Sequence, residues 1–188
     1  MTDDFPADDL EAVGFEGGEL REPDQLQTTL HRVIELIRGQ GATLATAESL
    51  TGGMVGSALT DVPGVSAIYR GGVIVYATDL KATLAGVPAD LLADVGPVHP
   101  DTAAALAAGV RERLGATYGL ATTGVAGPDS QAGIKAGTVY VAAAGPTAVM
   151  VRKLSLNGDR ETVRRGSVQA VLELAAELVV EDPGSPAR

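Results

Sequence analysis

Cysteine is absent from the 188 residues, which excludes disulfides, thiolate metal sites and a cysteine nucleophile. Tryptophan is absent too, and aromatic residues make up only 3% of the chain. Both phenylalanines, Phe5 and Phe15, lie near the start, so Ala, Val, Leu and Gly must fill the core of whatever folds after them. No apolar run reaches the ~18 residues that crossing a bilayer takes, and the acidic opening is unlike a signal peptide. The expectation is a soluble cytoplasmic protein with no membrane partner. Length suits one domain, or one domain with a tail.

Basic charge is scarce as well. The net charge is −10, and residues 1–24 hold nine of the acids against one base, Arg21. The remaining fifteen acids and thirteen bases nearly cancel. Neither part offers the basic surface that non-specific nucleic-acid binding requires. Residues 1–23 are rich in acids and glycines and poor in apolar periodicity, so they read as a disordered acidic head. Residues 183–188 read as a flexible tail, leaving 24–182 as the folded domain.

Within that domain the pattern is regular. Leu26, Leu30, Val33, Ile34 and Ile37 recur at helical spacing until Gly39 and Gly41. A buried strand is predicted over Thr43–Ala47, a helix over Gly52–Thr60, and a β-rich run within Ala67–Ala77. Short helices follow near 79–85 and 88–94, and an alanine-rich helix spans about Pro100–Leu114. A strand at 118–123, a Gly/Pro loop at 124–136, strands at 137–144 and 147–156, and a helix over Asp159–Val180 complete the chain. The alternation predicts an α/β fold: a layered mixed, mostly parallel sheet flanked by helices on both faces. The Gly145-Pro146 connection predicts an antiparallel hairpin between the last two strands. The nearly neutral, alanine-rich body points to a homodimer.

Two loops directly after strands break the pattern of ordinary packing. Thr46-Ala47-Glu48-Ser49-Leu50-Thr51-Gly52-Gly53 precedes a helix, where free N–H groups attract anions and oxyanions. The plain alternative is that Ser49 or Thr51 is a helix N-cap. Thr122-Thr123-Gly124-Val125-Ala126-Gly127-Pro128 follows a second strand, and parallel pairing would set both loops at one sheet edge. A serine nucleophile needs a base. His31 precedes the first strand and His99 stands at a helix start, so a Ser-His-Asp triad has little support. Lysine is scarce, only Lys81, Lys135 and Lys153, so the candidates are few; Lys81, five residues after Tyr76, would point back over the sheet edge, and its plain alternative is a solvated helix lysine. Serving as base requires a drop in its pKa toward neutrality, worth about 4 kcal/mol. At Gly158-Asp159-Arg160-Glu161, arginine opposes the helix macrodipole, which suggests an anionic ligand or a salt bridge. Arg160 and Arg164 share a helix face.

The sequence resembles the CinA C-terminal domain family, the stand-alone nicotinamide mononucleotide deamidases. The pieces that carry the resemblance are Ala47–Gly53, Asp61-Val62-Pro63-Gly64, Arg70-Gly71-Gly72-Val73 leading to Tyr76 and Lys81, Thr123–Pro128, Gly137-Thr138-Val139-Tyr140 and Gly158-Asp159-Arg160 with Val163-Arg164-Arg165. They cover roughly 25–182. The resemblance implies hydrolysis of the carboxamide of nicotinamide mononucleotide to nicotinic acid mononucleotide and ammonia, without metal or cofactor. It implies a serine–lysine pair at Ser49 and Lys81, assisted by Tyr76. Substrate binding is then expected at Thr51, Gly52 and Gly53, at Thr123, Gly124, Ala126 and Gly127, and at Arg160 or Arg164, Arg160 being favoured. Oxyanion stabilisation is expected from the amides of the Ser49–Gly53 loop. Two departures bear on substrate fit: Thr78 stands where the family usually has asparagine, and Gly133-Ile134-Lys135-Ala136 replaces a Lys-Pro type loop. The rival readings are a catalytically silent pyridine-nucleotide or partner-docking module, and a metal-dependent nucleotide phosphohydrolase. The last has only the scattered acids Glu48, Asp79 and Asp129 as ligands.

Overall fold

The computed structural model describes residues 23–182, so the predicted acidic head (apart from Pro23) and the predicted tail 183–188 lie outside the described residues. In chain order the elements are helix α1 (Pro23–Gly39), strand β1 (Leu44–Glu48), helix α2 (Met54–Thr60), a 3-10 turn (Val65–Ala67), strand β2 (Tyr69–Ile74), helices α3 (Thr78–Thr83), α4 (Ala89–Val95) and α5 (Pro100–Arg113), strands β3 (Tyr118–Gly124), β4 (Thr138–Ala144) and β5 (Val149–Ser155), and helix α6 (Arg160–Glu181).

The strands form one sheet in the order β2-β1-β3-β4-β5. β1 pairs in parallel with both β2 and β3, whereas β4 is antiparallel to β3 and to β5. Four strands therefore point one way and β4 points back, while the neighbouring pairs divide evenly between parallel and antiparallel. The β4–β5 hairpin follows its short connection as predicted. β2 ends at Ile74, short of Tyr76: Val75 still donates its N–H to the Glu48 carbonyl (2.8 Å), and the chain then turns into α3.

Period-two alternation sorts the strand residues between two cores. Leu44, Tyr118, Leu120, Val139, Val141 and Leu154 pack on the face covered by α1 and α6. Ala45, Ala47, Ala121, Ala142 and Ala144 pack on the opposite face, against Ala103, Leu106, Ala107 and Val110 of α5. Alanine there lets α5 settle close to the sheet. A Cβ at Gly119 would stand 2.1 Å from the Ala107 carbonyl oxygen, so that position admits only glycine. A body without phenylalanine reaches a dry core through this close approach instead of through side-chain bulk. No helix among the described residues is long and apolar enough to cross a membrane.

The far end of α6 is latched to the β4–β5 turn. The Asp182 carboxylate, 6% exposed, accepts from the Thr147 hydroxyl (2.7 Å), the Thr147 amide (2.8 Å) and the Ala148 amide (2.9 Å), and its carbonyl accepts from the Tyr118 hydroxyl (2.8 Å). Burial disfavours the ionised form, but the Thr147 and Ala148 bonds and the Arg111 charge outweigh it and hold the carboxyl below the usual carboxylate range. A depressed carboxyl stabilises the fold above its unfolded pKa, and that contribution is lost as pH falls through the folded one. Asp182→Ala is expected to cost about 1–2 kcal/mol in urea unfolding at pH 7. The gap from wild type should narrow in titrations carried below the ordinary aspartate pKa.

Candidate active site

Ser49 is the first residue past β1, and its amide continues the ladder by donating to the Thr122 carbonyl (3.0 Å). Side chains alternate along a strand, so Glu48 and Ser49 face opposite ways. Glu48, 2% exposed, turns to α2 and accepts the amides of Gly53 (2.9 Å), Val55 (3.0 Å) and Gly56 (2.8 Å). Helix α2 thus takes its anchor from a carboxylate outside it; its N-cap, Gly53, has φ 100° and no side-chain cap. Neither Ser49 nor Thr51 serves as that cap, and the helix start is filled from within the protein.

Ser49 faces Lys81. The lysine sits on α3, is 1% exposed, and places Nζ 3.1 Å from the Ser49 Oγ, 2.7 Å from the Val75 carbonyl and 3.4 Å from that of Tyr76. Burial lowers its pKa from 10.5 to about 8. The solvated-lysine alternative is therefore excluded by position. A neutral amine has two N–H bonds and one lone pair; the two carbonyls match the first and the serine hydroxyl the second.

The pair borders a cavity of about 120 Å³ at the carboxyl ends of β1 and β3. Of the residues expected at the site, Ser49, Tyr76, Lys81, Thr123, Gly124, Ala126, Gly127 and Arg160 line it. The Thr123 hydroxyl donates to the Pro97 carbonyl (2.6 Å), tying β3 to the segment before α5. Arg160 crosses the outer wall, donating to the Gly127 carbonyl (2.9 Å) and the Tyr76 hydroxyl (3.1 Å). The Tyr76 ring thus meets Arg160, and only its main-chain carbonyl approaches Lys81.

The other expected positions are placed differently. The Thr51 hydroxyl is buried against Thr122 Oγ1 (2.7 Å), and the Gly53 amide donates to Glu48, so both polar groups are engaged within the protein. The Gly52 amide is spent on the Ser49 carbonyl (3.1 Å). The amides of Leu50 and Thr51 have no hydrogen-bond partner among the described residues. Arg164 lies behind the loop, away from the cavity lining: Nε donates to the Leu50 carbonyl (3.0 Å) and Nη2 to that of Thr51 (2.7 Å).

Sequence reasoning missed the anchoring role of Glu48 and the part of Pro97 and Gln131 in the cavity wall, where they stand with Thr78 and Asp129. An acid ending an otherwise apolar strand, just before a glycine pair that cannot cap a helix, was the available signal for Glu48. Among the described residues no group of three or more His, Asp or Glu is arranged to hold a metal ion.

These features define an α/β domain with a buried serine–lysine contact at the carboxyl edge of a mixed sheet. The model of the CinA C-terminal domain matches residues 26–179, and the chain belongs to that family. A CinA-like protein of Frankia casuarinae is 50% identical over 153 residues, covering 81% of this chain and 35% of the relative. A CinA-like protein of Myxococcus xanthus is 42% identical over 156 residues, covering 82% and 37%. The chain thus spans little more than a third of the length of these curated relatives. Among solved structures, competence/damage inducible protein CihA of Agrobacterium tumefaciens superposes with a TM-score of 0.79 at 31% identity, covering 83% of this chain and 96% of the other. A competence-damaged protein (CinA) superfamily protein of Escherichia coli gives a TM-score of 0.80 at 28% identity, covering 86% and 94%.

Proposed function

We propose that the protein hydrolyses the carboxamide of nicotinamide mononucleotide to nicotinic acid mononucleotide and ammonia, with Ser49 as nucleophile and Lys81 as base. The observation that carries this reading is the 3.1 Å contact between the Ser49 hydroxyl and a buried amine whose pKa lies at about 8. Neutral Lys81 takes the hydroxyl proton while Ser49 attacks the amide carbon. The Leu50 and Thr51 amides, the loop's two uncommitted donors among the described residues, would receive the oxyanion. The tetrahedral intermediate collapses as Lys81 gives its proton to the departing nitrogen, releasing ammonia and leaving an ester on Ser49. Water, deprotonated by the same amine, then frees the carboxylic acid.

The remaining groups have matching tasks. The Thr123 oxygen, its proton committed to Pro97, accepts from the carboxamide N–H₂. A cavity of about 120 Å³ takes the carboxamide end of the substrate, since pockets that enclose a whole ligand run to roughly 300–1,000 Å³. The ribose phosphate therefore extends outward past Arg160, whose charge suits it. The test is purified protein with nicotinamide mononucleotide, following ammonia and the acid product. Saturable binding without ammonia overturns the hydrolase and favours the silent binding module.

A pH profile follows from the base. Lys81 must be neutral in the free enzyme, so kcat/KM is expected to rise about tenfold per pH unit below about 8 and to level off above it. A profile already flat from pH 6 would show that another group takes the proton.

A further inference from the structure

Arg164 is half-buried on the second turn of α6, and both of its hydrogen bonds go to consecutive carbonyls of the loop that carries Ser49. The loop needs holding. Its Gly52 and Gly53 both have positive φ (60° and 100°), and Glu48 secures only the far side, at Gly53 and beyond. Across a trans peptide the C=O and N–H point in opposite directions. Fixing the Leu50 carbonyl on Arg164 therefore fixes the direction of the Thr51 N–H. Fixing the Thr51 carbonyl does the same for the Gly52 N–H, which closes the turn onto the Ser49 carbonyl (3.1 Å). A cation on the carbonyl side also polarises each peptide and strengthens its N–H as a donor.

The helix supplies a firm base for this clamp. Asp159 caps α6 by accepting the Thr162 amide (2.8 Å) and hydroxyl (2.7 Å). One turn of the same helix thus presents Arg160 to the outer wall of the cavity and Arg164 to the back of the nucleophile loop. The two arginines share a helix face and divide the work: Arg160 lines the cavity beside Ser49, whereas Arg164 borders only the open cleft on the other side of Arg160 and gives both its hydrogen bonds to backbone. A guanidinium fork reaches two neighbouring carbonyls at once, which a lysine ammonium on a single flexible stem does less well.

We propose that Arg164 is a positioning residue that never contacts substrate: through the Leu50 carbonyl it sets the Thr51 amide that receives the oxyanion, and through the Thr51 carbonyl it holds the Gly52 amide on the Ser49 carbonyl, whose own peptide carries the Leu50 amide. The proposal rests on the amidase reading above. In Arg164→Met, kcat for ammonia release should fall about 10- to 100-fold, less than the roughly 10²- to 10³-fold lost when an oxyanion donor is itself removed, because the donors remain and only their hold is loosened. KM and the pH midpoint should stay where they are. Binding of the mononucleotide of pyridine-3-carbaldehyde, an aldehyde that forms a tetrahedral adduct with the serine, should weaken in step with kcat. Arg164→Lys should recover part of both, and it replaces the methionine variant should that fail to fold by circular dichroism. A raised KM at unchanged kcat would make Arg164 a substrate contact and overturn the proposal, as would wild-type adduct affinity in a variant with lowered kcat. Wild-type protein that releases no ammonia overturns the amidase reading and this proposal together. An active wild type whose Arg164 variants keep full kcat overturns this proposal alone.

Discussion

Ser49→Ala and Lys81→Met are each expected to lower ammonia release by about 10³-fold or more, and only the second should leave a more stable protein. Ser49→Ala deletes one hydroxyl beside Nζ and spares the carbonyl partners of the lysine, so its unfolding midpoint should move little. Lys81 is different, because the folded state lowers its pKa from 10.5 to about 8 by burial. At pH 7 the amine is charged in both folded and unfolded chains, and the folded chain carries the full desolvation penalty, about 3 kcal/mol. Between pH 8 and 10.5 the unfolded chain binds the extra proton, so this penalty shrinks as pH rises. Methionine relieves the penalty but leaves the Val75 carbonyl without its donor, a loss of about 1–2 kcal/mol. The net expectation is a gain of about 1–2 kcal/mol at pH 7, or a few degrees in Tm for a domain of this size. Thermal melts at pH 7 and pH 10 check it: the advantage of Lys81→Met should be present at the first and lost at the second. Near-wild-type turnover in either variant would remove the pair from the mechanism.

Much of the scaffold was legible because its signals are local. The spacing of Leu30, Val33, Ile34 and Ile37 marks α1, and a proline–glycine pair between two apolar runs marks the β4–β5 hairpin. The scarcity of aromatic residues left Ala, Val, Leu and Gly to fill the core, and α5 meets the sheet through alanine, leucine and valine. Two strand-end loops at one edge were legible for the same reason, since parallel β1 and β3 put their carboxyl ends side by side. The depth of Lys81 was hidden, because its burial depends on Val75 pairing with the end of β1 and swinging α3 over that edge. Helical spacing put Arg160 and Arg164 on one face but could not say that one reaches the cavity and the other a pair of carbonyls. The Thr51 hydroxyl and the Gly53 amide read as open groups because loop composition does not reveal which amides and hydroxyls the protein has already spent on itself.

Glu48 is the sharpest case of that hidden expenditure, and its replacement is expected to cause the largest loss of stability. Its two oxygens serve three amides at the start of α2, a helix of seven residues with no side-chain cap of its own. Bonds from backbone amides to an ionised carboxylate contribute roughly 1.5–3 kcal/mol each, and part-buried amides left bare cost a similar amount. Three such bonds at the low end of that range set the expectation for Glu48→Ala at about 4–5 kcal/mol, a large share of the 5–15 kcal/mol typical of a whole domain. Glu48→Gln is the finer probe. Its single carbonyl oxygen can serve one side of the helix start, while its N–H₂ group confronts donors on the other, so about half of that loss is expected. Urea midpoints give both values, and ammonia release from the protein that remains folded gives the second readout. Because Glu48 and Ser49 are adjacent and face opposite sides of the sheet edge, loosening the first should misplace the second. Activity should fall at least tenfold in Glu48→Gln even at temperatures where the fold is intact. A glutamine variant with the wild-type midpoint and rate would show that the negative charge is dispensable and that glycine geometry alone shapes the loop. In that event Arg164 would be the main external hold on Ser49, and its variants should then show the greater loss of the two.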